Sequence, residues 1–312
     1  MSRRESDGFQ LDQAGVRAAF DRASATYESV AVLQSRIAQE LLSRLEPFDF
    51  RPRSLLDLGA GTGRASAQLK RRYRRCRVIA LDLSPGMLRE AGRHERVFRR
   101  FERVCADAAR LPLQTGSIDI VFSNLMLQWC DSLDEVLAEV RRVLRPEGFF
   151  AFSTFGPDTL KELRSAWAET DSYTHVNRFL DVRDIGDALM RSGLEEPVLD
   201  VDRTQLTYDD GLSLMRDLKS LGARNATAGR PRSLLGRARL QRVLGAYEAF
   251  RKEGRLPASY EIIYGAAWAS RDRDERPRTT RGPGAPSPGT VGGTAPPARE
   301  VKIPAASIRR RK

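Results

Sequence analysis

Residues 55–66 read LLDLGAGTGRAS. Leu55, Leu56 and Leu58 make a short apolar run, and Gly59, Gly61 and Gly63 follow it within five residues. Two readings are open for such a cluster. It is a tight turn, or it is a loop whose bare backbone lets a ligand come close. What lies on either side decides between them.

Downstream, apolar runs alternate with helix-type segments. Strands are expected at 54–59, 77–83, 103–107, 118–124 and 149–155, and GRASAQLKRRY, SPGMLREAGRH and SLDEVLAEVRRVLR carry helical periodicity between them. Apolar strands separated by helices imply a mostly parallel sheet covered on both faces, a doubly wound α/β domain. Upstream, Val16, Phe20, Val30, Leu33, Ile37 and Leu41 recur at helical spacing over 14–45, with an interruption at Ser24–Tyr27, and Pro47 and Pro52 stop the helix. Beyond 156 the helical segments at about 157–190 and 211–253 read as insertions on the α/β core.

Glycines after the first strand of such a sheet sit at its carboxyl edge, where open α/β sheets bind ligands. Asp82 closes the second expected strand, 19 residues after Gly63, where an acid accepts both hydroxyls of a ribose. Asp107 closes the third, where a carboxylate receives an adenine amino group. Asp57 stands just before the loop and suits an ammonium group, directly or by fixing the loop backbone. The loop reads Gly-Ala-Gly-Thr-Gly rather than Gly-x-Gly-x-x-Gly, and no basic residue is placed for a pyrophosphate. The pattern points to a nucleoside smaller than a dinucleotide.

The set DLGAGTG, LDLSPGML, ADAARLPL and FSNLMLQW resembles the class I S-adenosylmethionine-dependent methyltransferases over about residues 52–156. That resemblance implies a seven-stranded Rossmann-like sheet whose last two strands, near 197–208 and 260–269, form a reversed hairpin. It implies S-adenosyl-L-methionine as cofactor, bound by Asp57, Gly59, Gly61, Gly63, Asp82, Leu83, Asp107, Ala108 and Asn124. The flanks, among them SATYESV, HVNRF and LMRDLKSLGARNATAGR, resemble the malonyl-acyl-carrier-protein O-methyltransferase family of biotin synthesis, over about 14–269. Such enzymes methylate the free carboxylate of a malonyl thioester. A carboxylate is ionised at neutral pH, so no general base is needed, and the chain shows no obvious nucleophile or acid–base pair. A group that holds the anion is needed. Tyr27 and Arg178 are the candidates, with Asn124 beside the methyl donor as a third; an arginine fork matches a carboxylate. His175 is read as structural, and Met126 and Trp129 as core or adenine packing.

The net charge is +12 over 312 residues. Residues 271–312 hold eleven Lys or Arg against four Asp or Glu, so +7 sits there and +5 elsewhere. A mildly basic fold suits an acidic protein partner, and Arg216, Lys219 and Arg230, with Arg232, Arg237 and Arg239 nearby, are expected to dock malonyl-acyl carrier protein, malonyl-coenzyme A being the other thioester form. Nucleic acid is not expected as a partner. No apolar run approaches a membrane span, no signal segment is visible, and Cys76, Cys105 and Cys130 lack metal-ligand spacing, so no metal and a cytoplasmic enzyme are expected. The domain plan is a flexible 1–13, helices over the active site at 14–52, a methyltransferase domain at 53–270, and a disordered Pro/Gly-rich tail at 271–312. Two rival readings are a methyltransferase-like protein-arginine hydroxylase or respiratory-complex assembly factor, suggested by FGPDTLKELR, and a non-catalytic S-adenosylmethionine-binding module.

Overall fold

The computed structural model describes residues 11–171, 173, 175–177, 179–223, 236–271 and 301–304. The expected strands form as β1 (Ser54–Leu58), β2 (Arg77–Asp82), β3 (Glu102–Cys105), β4 (Ile118–Asn124), β5 (Leu144–Phe155), β6 (Leu194–Tyr208) and β7 (Leu256–Ala269). A further strand, β8 (Val301–Pro304), follows, and the sheet order is β3-β2-β1-β4-β5-β7-β6-β8. β1 to β5 are parallel, whereas β7 runs antiparallel to both β5 and β6. The reversed hairpin is therefore β6–β7, with β7 inside.

β1 shows why the opening stretch is a strand with two buried faces. Leu55 packs with Leu33, Ile37 and Leu69 on one side of the sheet, while Leu56 and Leu58 pack with Leu137 and Val140 on the other. All five residues of β1 are buried, as expected for a central parallel strand.

Ten α-helices surround the sheet among the described residues: α1 (Gln13–Ala23), α2 (Tyr27–Val30), α3 (Val32–Ser43), α4 (Arg64–Arg72), α5 (Pro85–Ala91), α6 (Leu133–Val143), α7 (Lys161–Ala168), α8 (Val182–Arg191), α9 (Gly211–Ser220) and α10 (Arg237–Glu248). The expected break at 24–27 falls between α1 and α2. Ser84, Ser132, Asp181 and Asp210 cap α5, α6, α8 and α9 by accepting backbone amides, which marks these starts in the sequence itself.

One expectation needs correction. The tail at 271–312 is expected to be disordered, yet Val301–Pro304 pairs in parallel with Thr204–Thr207. An edge strand presents a row of unpaired amides and carbonyls, and VKIP, with its β-branched residues, supplies partners for part of that row. The seven expected strands are all present, and β8 extends the sheet by one at its edge.

Candidate active site

The three glycines have three different duties. Gly59 has φ +76°, and a Cβ there would lie 2.3 Å from the Met126 side chain. Gly63, also at φ +76°, would press on Ala91 at 2.6 Å. Gly61 differs: at φ +54° its Cβ would meet nothing within 4 Å and would project into open space. The outer glycines let the loop fold tightly, and the middle one leaves a bare stretch of backbone facing a cavity.

That cavity has a volume of about 570 Å³ and lies at the carboxyl ends of β1, β2 and β4. Gly59, Gly61, Asp82, Leu83, Asp107, Ala108 and Asn124 all line it, so the loops bring together these seven expected cofactor contacts. Asp82 is the hub. Its Oδ2 accepts the Gly61 amide at 2.8 Å and its Oδ1 accepts the Ser84 amide at 2.8 Å. Burial raises its pKa, against the hydrogen bonds from Ser84 and Gly61. Asp107 is exposed at the rim, and its Oδ1 accepts the Ala109 amide at 2.9 Å.

Asp57 stands apart. It is 1% exposed and accepts a 2.5 Å hydrogen bond from Ser66 Oγ of α4. It borders a smaller pocket of about 70 Å³ beyond the glycine loop, not the main cavity. Ser66, its partner, lies in the first turn of α4, just beyond the glycine loop. Burial pushes the Asp57 carboxyl up to about 7. Gly63 shapes the loop and likewise does not line the main cavity.

The roof comes from the N-terminal helices. Gln13, Val16 and Phe20 of α1, Tyr27 of α2 and Gln34 of α3 line the cavity. Burial, with the negative charge of Asp82 adding to it, pushes the Tyr27 phenol far up, so it is neutral and keeps its O–H. Phe20 stands edge-on to Trp129, with ring centroids 5.2 Å apart. Asn124 is engaged at both ends of its amide: Nδ2 donates to the Gln34 carbonyl at 3.3 Å and Oδ1 accepts from Ser153 Oγ at 2.9 Å.

Gln34 is the residue that sequence reasoning missed. Its Oε1 is buried and has no hydrogen-bond partner, and the residue borders both the main cavity and the small pocket. A buried acceptor of this kind calls for a donor. An ammonium or hydroxyl of an amino-acid-bearing nucleoside meets that need, so the donor set fits S-adenosylmethionine. The signal in the sequence was an uncharged amide one position after Leu33, next to the buried face of a lid helix.

Several other expectations can be placed. His175 is structural: it stacks on Trp167 with centroids 3.6 Å apart and meets Asp171 Oδ1 at 2.8 Å. Met126 and Trp129 line the cavity wall. Arg216 and Lys219 are exposed on α9. Arg239 is not available for docking in the way expected, because it is paired with Asp171 at 2.5 Å and lies 5.5 Å above the Tyr173 ring. Arg178, Arg230 and Arg232 lie outside the described residues. Among the described residues no His/Cys/Asp/Glu group is arranged to hold a metal, and no helix is long and apolar enough to cross a membrane.

Comparison with known proteins agrees with this geometry. Residues 56–152 match the family model described as a methyltransferase domain. Among solved structures, the YcgJ protein of Bacillus subtilis superposes with a TM-score of 0.55 at 14% identity, covering 74% of this chain and 98% of that one. A methyltransferase from Thermotoga maritima superposes at 0.50 and 14% identity, covering 82% and 100%. Both share the fold. The sequence relatives are much nearer. Malonyl-[acyl-carrier protein] O-methyltransferases of Methylovorus sp. and Laribacter hongkongensis are each 50% identical, over 86% and 87% of this chain and 93% and 94% of theirs. That of Halorhodospira halophila is 50% identical over 84% and 90%. The hydroxylase reading finds no support among these relatives. The cofactor of this fold and site is S-adenosylmethionine, and the chain belongs to the malonyl-acyl-carrier-protein O-methyltransferase family.

Proposed function

We propose that this chain methylates the free carboxylate of a malonyl thioester carried on acyl carrier protein, an early step of biotin synthesis, in the cytoplasm. The observation that carries the reading is the Tyr27 side chain on the wall of a roofed cavity that the glycine loop also lines. When bound, S-adenosylmethionine supplies an electrophilic methyl on a sulfonium. Asp82 holds the ribose, Asp107 and the backbone at Leu83 and Ala108 hold the adenine, and the bare edge at Gly61 admits the amino-acid arm. The Tyr27 O–H donates to the malonyl carboxylate and fixes its line of approach, with Arg178 as its cationic partner. Asn124 braces Gln34 against β5 rather than touching the acceptor. The roof of α1 and α2 keeps water from the anion, and orientation with desolvation lowers the barrier without any proton transfer.

Leu221 and Ala223, just beyond α9, line the cavity. Arg216 and Lys219 on that helix are therefore the surface for an acidic carrier, and Arg230, outside the described residues, is assigned to docking on its charge alone. The test is intact mass spectrometry of malonyl-carrier incubated with this protein and S-adenosylmethionine, with malonyl-coenzyme A, acetyl-carrier and an arginine peptide alongside. Gain of one methyl on malonyl-carrier alone is expected. Modification of the peptide alone overturns the reading. S-adenosylmethionine bound without turnover on any acceptor supports a non-catalytic module instead.

A further inference from the structure

The roof helices carry little apolar anchorage. α1 buries only Val16, Ala19 and Ala23 fully, and no residue of α2 is fully buried, Tyr27 and Val30 being partly so. Segments with few buried apolar contacts open locally at low free energy. Yet α2 carries Tyr27, whose hydroxyl must sit at a defined place over the cofactor loops. Something other than apolar packing sets its position.

Two carboxylates bracket it. Six residues before Tyr27, Asp21 Oδ1 accepts from Ser84 Oγ at 2.5 Å and from the Gly86 amide at 2.8 Å. Ser84 caps α5 through the Met87 amide at 3.1 Å, and its own amide donates to Asp82 at 2.8 Å. Asp21 is thus fastened to the same short loop that presents the ribose acceptor. Burial works against its charge, but the Ser84 and Gly86 bonds and the charges of Arg17 and Arg89 outweigh it, and its pKa is lowered. One residue after Tyr27, Glu28 Oε1 meets His94 Nε2 at 2.6 Å, with a further side-chain hydrogen bond from Thr62 of the glycine loop and the charge of Arg64 nearby. A third attachment holds the far end of α1, where Gln13 Nε2 donates to the Trp129 carbonyl at 3.0 Å.

We infer that Asp21 and Glu28 are positioning residues, two carboxylate struts that seat the roof on the two cofactor loops and so fix Tyr27 over the acceptor. The inference rests on the role of Tyr27 proposed above. The struts are unequal. Asp21 holds Ser84, which is 1% exposed, whereas the Glu28 and His94 side chains are 39% and 30% exposed, and exposed ion pairs contribute little. Asp21 is the firm end of the roof and Glu28 the end that lifts.

The experiment uses the full chain. Asp21→Ala is expected to lower kcat at least tenfold, to weaken S-adenosylhomocysteine binding about fivefold, and to speed hydrogen exchange over 13–30 while β1 and β4 stay protected. Asp21→Asn keeps an acceptor oxygen and should stay within threefold of wild type. Glu28→Ala should cost kcat threefold to fivefold. On a Tyr27→Phe background, Asp21→Ala should cost less than threefold, because the group it positions is already gone. Wild-type exchange over 13–30 in Asp21→Ala, or the same fold loss of kcat with and without the Tyr27 hydroxyl, overturns the inference. Should Asp21→Ala fail to fold, a Glu28→Ala protein with unchanged exchange at 24–30 overturns it equally. The exchange and S-adenosylhomocysteine measurements need no acceptor, so a wild-type protein that leaves malonyl-carrier unmodified overturns the substrate and not the struts.

Discussion

The Gly61 amide donates to Asp82 Oδ2 at 2.8 Å, joining the loop after β1 to the end of β2. The bond ties the glycine loop to Asp82, the residue proposed above to hold the ribose. Removing the charge while keeping the shape tests this directly. Asp82→Asn should weaken S-adenosylhomocysteine binding by roughly tenfold to a hundredfold, in line with about 1.5–3 kcal/mol for hydrogen bonds to a charged group. At saturating S-adenosylmethionine kcat should be largely retained. Calorimetry beside turnover assays separates the two.

Tyr27→Phe removes only a hydroxyl. A lost hydrogen bond to an anion predicts a kcat reduction of about tenfold to a hundredfold, with S-adenosylhomocysteine affinity changed less than threefold. Equal loss in both quantities would make Tyr27 a cofactor residue instead.

The glycines should separate by phenotype. Gly59→Ala sets a Cβ 2.3 Å from Met126 and should lower the melting temperature. Gly61→Ala meets no neighbour in the loop, so its stability cost is the strain of positive φ, about 1 kcal/mol. Its main effect should fall on ligand affinity. Thermal melts with and without S-adenosylhomocysteine distinguish them.

Asp57 predicts a pH dependence of known sign. Its folded-state pKa is raised from 3.8 to about 7 by burial, so the native state binds the extra proton more tightly than the unfolded chain. The stabilisation linked to that proton is fully present below about pH 4 and is lost as pH rises through about 7. Asp57→Asn stays neutral and can still accept from Ser66. Its stability relative to wild type should therefore rise from pH 4 to pH 8 in urea titrations, and a flat difference would contradict the assignment.

Leu137 in α6 is fully buried against β1 and β4. Leu137→Ala should cost about 2–5 kcal/mol with little change in S-adenosylhomocysteine affinity, measured at a temperature where the variant is folded.

Most of the sheet was legible because the central strands β1, β2 and β4 are apolar on both faces, and because α5 and α6 have marked starts at Ser84 and Ser132. That Asp82 and Asp107 border one cavity was legible for a related reason: Asp82 ends β2 and Asp107 follows β3 by two residues, positions that periodicity brackets. The roof was harder to read. Asp21 and Glu28 look like ordinary solvated residues of amphipathic helices, and only the approach of Ser84, 63 residues away, gives Asp21 a task. Gln34 left a faint trace, and VKIP at 301–304 sits in a Pro/Gly-rich stretch whose composition reads as disordered. Arg239 was misread because its charge suggests a partner protein, whereas the fold supplies Asp171.

The pairing of Val301–Pro304 with β6 has a bearing on how the molecule behaves in company. β6 spans fifteen residues, and without Val301–Pro304 the outer edge of its Thr204–Thr207 stretch would lose its strand partner. A naked rim of that kind is an invitation to another copy of the same protein. Versions lacking Val301–Pro304 should therefore associate more readily as their concentration rises.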